Sequence, residues 1–158
     1  MDNAHYHLAL NHLPLITPIV GFLILVLGII LPSAIIKRIA YGVFILGAFY
    51  TIPAFLTGDM AVKSLSNLLN VKPFIQEHEA KAESFALLSY LLGLMSLFGL
   101  WSNWKEKSYA NTFSYMILTL TVVMLIFAKQ TATSGGRIRH TEIRTDAETD
   151  SININKTL

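Results

Sequence analysis

The chain carries five histidines, His5, His7, His12, His78 and His140, and no cysteine. Imidazole is the commonest protein metal ligand and a common axial ligand of haem iron, so histidines that converge beside an apolar pocket are raw material for either group. Without thiols there are no disulfides, no thiolate-held metals, no cysteine-ligated clusters and no C-x-x-C-H haem attachment. Any cofactor is therefore held by nitrogen or oxygen. For a haem b the candidate ligands are His12 and His78, with His140 or His7 as a further one, while Arg137 and Arg139 offer planar guanidinium forks to its propionates. For a divalent metal the candidate set is His7, His12, His78, Glu79 and His140. Asp59, Glu77, Glu83 and Glu142 stand in the same polar segments, but no H-E-x-x-H or comparable ligand spacing is present.

These residues are positioned by four long uncharged stretches, residues 13–36, 39–58, 84–104 and 108–128. Each is about 20 residues or slightly longer, which at ~1.5 Å of rise per residue matches a hydrocarbon core of about 30 Å. The expected fold is an all-α integral membrane protein, a four-transmembrane-helix bundle with helices at about 13–33, 36–56, 74–104 and 108–130. Residues 1–130 form this domain and 131–158 a polar tail, whose distal part from about residue 145 has the composition of a disordered segment. Residues 60–70 alternate Val62, Leu65, Leu68 and Leu69 with Lys63, Ser64, Ser66 and Asn67, a pattern that suits a short interfacial helix between helices two and three.

An even number of crossings puts both termini on one side, together with the connection over residues 59–83. All five histidines then share one membrane face. The opposite face has only tight connections, around Lys37-Arg38 and Lys105-Glu106-Lys107, and short cationic loops stay in the cytoplasm. The termini and the histidines are then expected outside. The first apolar run is too long for a cleaved signal and lacks a basic leader.

Small residues indicate where helices meet, because close approach in lipid depends on them more than on hydrophobicity. Helix three carries Ala82, Ala86, Ser89, Gly93 and Ser96 on one face, and one turn earlier that face reaches His78. Helix one places Pro14, Gly21 and Gly28 at heptad spacing, a second face able to seat against the first. Such stripes serve either helix packing or a groove that admits a flat cofactor or lipid. The pair Gly135-Gly136 is expected to turn the chain after helix four and fold Arg137, Arg139 and His140 back over the bundle mouth. Trp101, Trp104 and Tyr109 have the composition of interface anchors.

Several function classes lose support. No ionisable side chain lies inside any span, where it would mark an ion or proton path, which argues against a transporter, channel or pump. There is no G-x-S-x-G, phosphate loop or nucleophile-base pair on a shared element, so no catalytic residue is nominated. A formal charge of +2 spread among acids gives no stripe for nucleic acid.

The segment His7-Leu8-Ala9-Leu10-Asn11-His12-Leu13-Pro14-Leu15 resembles the approach to helix one in a bacterial four-helix membrane family, the domain of unknown function 2231 type. Thr57-Gly58-Asp59-Met60-Ala61 is similar to that family's turn after helix two, His78-Glu79 to its histidine before helix three, and Gly135-Gly136 with His140 to its glycine pair and following histidine. The resemblance implies four helices, a bacterial inner membrane with the shared histidine face periplasmic, and association with cytochrome-type redox systems. The sequence thus points first to a small membrane protein binding haem b or a metal ion in a respiratory assembly. Its partners would be the bilayer, cytochrome or other respiratory subunits, and a second copy of itself. The alternative is a cofactor-free structural or scaffold subunit.

Overall fold

In the computed structural model, described for residues 10–65, 72–140 and 144 apart from the side chains of 59, 61–65 and 139, every regular element is helical. The helices are α1 (His12–Ile30), α2 (Ala34–Leu65), α3 (Lys72–Trp104) and α4 (Ala110–Arg139). All four contain stretches long and apolar enough to cross a membrane, from 19 residues in α1 to 33 in α3. Their outer faces are correspondingly apolar. Leu87 is 71% exposed, Ile30 69% and Leu94 65%. Large side chains turned outward in this number, on helices that are apolar nearly all round, belong in lipid rather than water. The chain is a multi-pass membrane protein.

Neighbours in sequence are neighbours in space, and α1 also packs on α4 to close the ring, leaving α1 and α3 on a diagonal. The core between them is built on Leu25, Tyr41, Phe44, Leu92, Ile117 and Met124. Glycines set how closely the helices approach. A Cβ added at Gly21 would meet the Phe44 ring, one at Gly47 the Thr17 hydroxyl, one at Gly93 the Ala48 methyl at 2.5 Å, and one at Gly99 the Ile117 side chain at 2.7 Å. The small-residue face of α3 is buried as expected, from Ala86 through Ser89, Gly93 and Ser96, and continues to Gly99 and Ser102. That of α1 is also buried, but it seats on α2 rather than α3. The short connection after Ile30 makes α1 and α2 antiparallel neighbours, so Gly21 and Gly28 meet Phe44 and Lys37.

Two helix ends differ from the sequence-based expectation. The helix expected to stop near residue 56 runs without interruption to Leu65. The Thr57 hydroxyl donates to the carbonyls of Pro53 and Ala54 inside the helix, so Thr57-Gly58 is helical rather than a stop. The separate interfacial helix expected over residues 60–70 is, up to Leu65, the end of α2; its remainder lies outside the described residues. Likewise α4 continues through Gly135-Gly136 to Arg139 instead of turning there. Glycine in a helix interior costs about 1 kcal/mol relative to alanine, and the packing described below accounts for its presence at 135.

Several interior hydroxyls are bound within and between helices, although the buried Ser96 hydroxyl has no hydrogen-bond partner among the described residues. Thr51 Oγ1 bonds the Gly47 carbonyl at 2.9 Å and Ser89 Oγ at 2.8 Å. Ser114 Oγ bonds the Ala110 carbonyl at 3.1 Å and Tyr41 Oη at 2.8 Å. A hydroxyl has one proton to give, so with Thr51 and Ser114 committed to carbonyls, Ser89 and Tyr41 are the donors across the helix interfaces. In apolar surroundings such bonds are worth about 0.6–2 kcal/mol each.

The close glycine contacts make a direct prediction. Gly93→Ala forces a methyl onto Ala48 and is expected to destabilise the bundle by about 1–3 kcal/mol, the usual cost of overpacking. Gly42 has nothing within 4 Å of an added Cβ, so Gly42→Ala should leave the melting temperature in detergent unchanged or raised. Equal melting of the two variants would remove the packing argument.

Candidate functional site: two polar ends of the bundle

The two ends of the bundle are built differently. At the end with short connections, cations on the first turn of α2 reach amides on other helices. Lys37 Nζ donates to Asn111 Oδ1 at 2.9 Å, and Lys37 itself is only 8% exposed. Arg38 donates from Nε to Asn103 Oδ1 at 2.7 Å and from Nη2 to the Asn103 carbonyl at 3.0 Å. One short stretch of α2 thus ties to the end of α3 and the start of α4. Hydrogen bonds to a charged group contribute about 1.5–3 kcal/mol, so these cations fasten the bundle. Outside them lies an aromatic rim, with Phe98 against Trp101, Tyr109 and Phe113, and the Lys107 ammonium 5.8 Å from the Trp101 ring centre.

The other end carries the sequence-predicted site. His78, on the second turn of α3, is half-buried and faces α4. Its Nδ1 lies 3.1 Å from Ser134 Oγ, and the Ser134 hydroxyl already donates to the Thr131 carbonyl at 3.0 Å. The hydrogen-bond network therefore assigns the proton of this contact to Nδ1. The ring lies over Gly135, where an added Cβ would come within 3.0 Å of Cε1. This close approach, rather than a turn, is what the glycine provides. Thr131 Oγ1 also bonds the Lys81 carbonyl at 3.1 Å, so α3 and α4 are joined twice here.

The remaining candidates are dispersed. His12 begins α1 and is exposed, diagonal to α3 across the bundle, and His140 is exposed at the end of α4. Glu79 is exposed, whereas Glu77 pairs with Lys81 and lies 3.6 Å from Arg137 Nη1. Because all three side chains are partly solvated, these pairs contribute at most about 1 kcal/mol each. His5, His7 and Glu142 fall outside the described residues, as do the side chains of Asp59 and Arg139. Among the described residues no group of three or more His, Asp or Glu side chains is placed to hold a metal ion. The glycine faces are filled by Phe44, Thr17, Ala48 and Ile117, and Arg137 Nη1 is directed to Glu77.

Sequence reasoning passed over Arg144. It donates from Nε to the Arg137 carbonyl at 2.8 Å and from Nη2 to the Ile138 carbonyl at 3.0 Å, while its guanidinium lies 4.5 Å from the centre of the Phe74 ring. It caps the last open carbonyls of α4 and lies over the start of α3, the return over the mouth that was expected of Arg137, Arg139 and His140. An arginine just beyond a helix C-terminus, where the carbonyl dipoles point, is the signal that identifies such a cap. Also unanticipated is an open groove of about 300 Å³ lined by Lys81, Ile126, Lys129, Gln130, Thr133 and Arg137. Comparison of the chain with known protein families, with characterised proteins and with solved structures found no match.

Proposed function

We propose that this protein is a cofactor-free membrane subunit, a rigid four-helix scaffold that works by association rather than by catalysis. The observation that carries this reading is the use of the small-residue faces. Gly21, Gly47, Gly93 and Gly99 are each met by a side chain of a neighbouring helix. The second support is His78, whose hydrogen bond to Ser134 and contact with Gly135 give it a structural task at the α3/α4 joint. Membership of the four-helix family resembled at residues 7–15, 57–61, 78–79 and 135–140 is part of the proposal and rests on those short motifs.

Absorption spectra of the detergent-purified protein, oxidised and dithionite-reduced, together with metal analysis test the reading. The expected result is no Soret band and no stoichiometric metal. A Soret band, or one metal ion per chain lost on His12→Ala or His78→Ala, would overturn the scaffold in favour of a histidine-held redox centre.

The proposal also places the protein in a bacterial inner membrane, as the resemblance implies, with the histidine end periplasmic on the strength of the short cationic connections at Lys37-Arg38 and Lys105–Lys107. The chain has no native cysteine, so single substitutions report cleanly. Ala132→Cys should react with a membrane-impermeant maleimide in intact cells, and Glu106→Cys only after the inner membrane is opened. The reverse pattern would invert the topology.

A further inference from the structure

The groove between α3 and α4 has a composition that the scaffold reading does not use. One face of α4 runs Val122, Ile126, Lys129, Thr133 and Arg137, at steps of three or four residues. Along it the character changes once. Val122 and Ile126 are exposed apolar residues, 45% and 55% accessible, and Lys129 marks the end of the uncharged span. Lys81 completes the groove from α3, and no acid lines it among the described residues. Glu77 accepts from Lys81 and lies 3.6 Å from Arg137, so one carboxylate holds two cations at the rim. Among the described residues, three positive charges against that single negative one leave a surplus of two, with the Thr133 hydroxyl and the Gln130 amide as neutral donors beside them.

A ligand matched to this shape has a compact anion at one end and a hydrocarbon at the other. We propose that the groove binds the phosphate of an anionic phospholipid, with Lys81, Lys129 and Arg137 around the headgroup and an acyl chain lying along Ile126 and Val122. A basic pocket between helices at the bilayer surface attracts anionic headgroups, at a gain of about fivefold in affinity per cation. A zwitterionic lipid carries its own ammonium into the same cations and is disfavoured. Recognition of this kind does not require the scaffold reading, since a redox protein could carry the same groove.

The test is native mass spectrometry of the intact protein in a non-ionic detergent, titrated with dioleoyl phosphatidylglycerol, with dioleoyl phosphatidylcholine or with inorganic phosphate. Phosphatidylglycerol adducts are expected to persist at activation energies that strip phosphatidylcholine. Lys129→Gln should weaken them roughly fivefold, and Lys81→Gln with Lys129→Gln further. Lys105→Gln with Lys107→Gln, at the opposite end, should leave them unchanged. Lys129 is exposed on the surface of α4, so its substitution leaves the fold intact, and circular dichroism checks this. Equal retention of the two lipids, loss of adducts in the Lys105/Lys107 control, or inorganic phosphate binding as tightly as phosphatidylglycerol would each overturn the proposal.

Discussion

Close approach of side chains to a neighbouring helix backbone, permitted by glycine, is the constraint on which the rest of this structure depends. In lipid the surroundings are as apolar as the side chains, so burial gives little preference for one helix arrangement over another, and shape has to supply it. Here α2 receives both neighbours through such contacts. Gly21 of α1 lies against Phe44, Gly47 of α2 against Thr17, and Gly93 of α3 against Ala48. Once these surfaces are engaged, the interior hydroxyls fall within reach of one another, and Thr51 with Ser89 and Tyr41 with Ser114 become cross-helix bonds. The hydrogen bonds depend on the packing, because a separation larger by one methyl group would open them.

The same constraint explains the contrast between the ends. Where connections are short, Lys37 and Arg38 are held close enough to bond Asn111 and Asn103, so cations of the kind usually read as topology signals also fasten three helices. At the far end the helices extend beyond their apolar spans, and polar side chains replace lipid-facing ones. His78, Ser134 and Thr131 join α3 to α4, Arg144 closes the end of α4, and the groove at Lys129 faces outward between the same two helices.

Much of this was legible in the residues. Charge-free runs of membrane length gave the number of helices, and the spacing of Ala82, Ala86, Ser89, Gly93 and Ser96 gave the buried face of α3. The one-turn extension of that face to His78 turned the ring to α4 at Ser134. Other features were hidden, for identifiable reasons. The stripe on α1 does not say which helix will meet it, and the short connection to α2 decided the matter. Gly135-Gly136 has the composition of a turn, yet glycine serves equally where a neighbouring ring comes close, and only the position of His78 separates the two. The groove needs Lys81 and Lys129 from different helices, a pairing that no local pattern contains.

Cross-linking at a glycine contact tests the closed bundle most directly. Thr17 Cβ lies 3.0 Å from the position of a Cβ at residue 47, slightly inside the separation of about 3.5–4.5 Å found in disulfides. In native membranes under mild oxidant, the chain carrying Thr17→Cys with Gly47→Cys should form an internal disulfide nearly quantitatively. Thr17→Cys with Gly42→Cys should not, since residue 42 has open space around it. Failure of the first pair, or equal reaction of both, would contradict a bundle closed at its glycines.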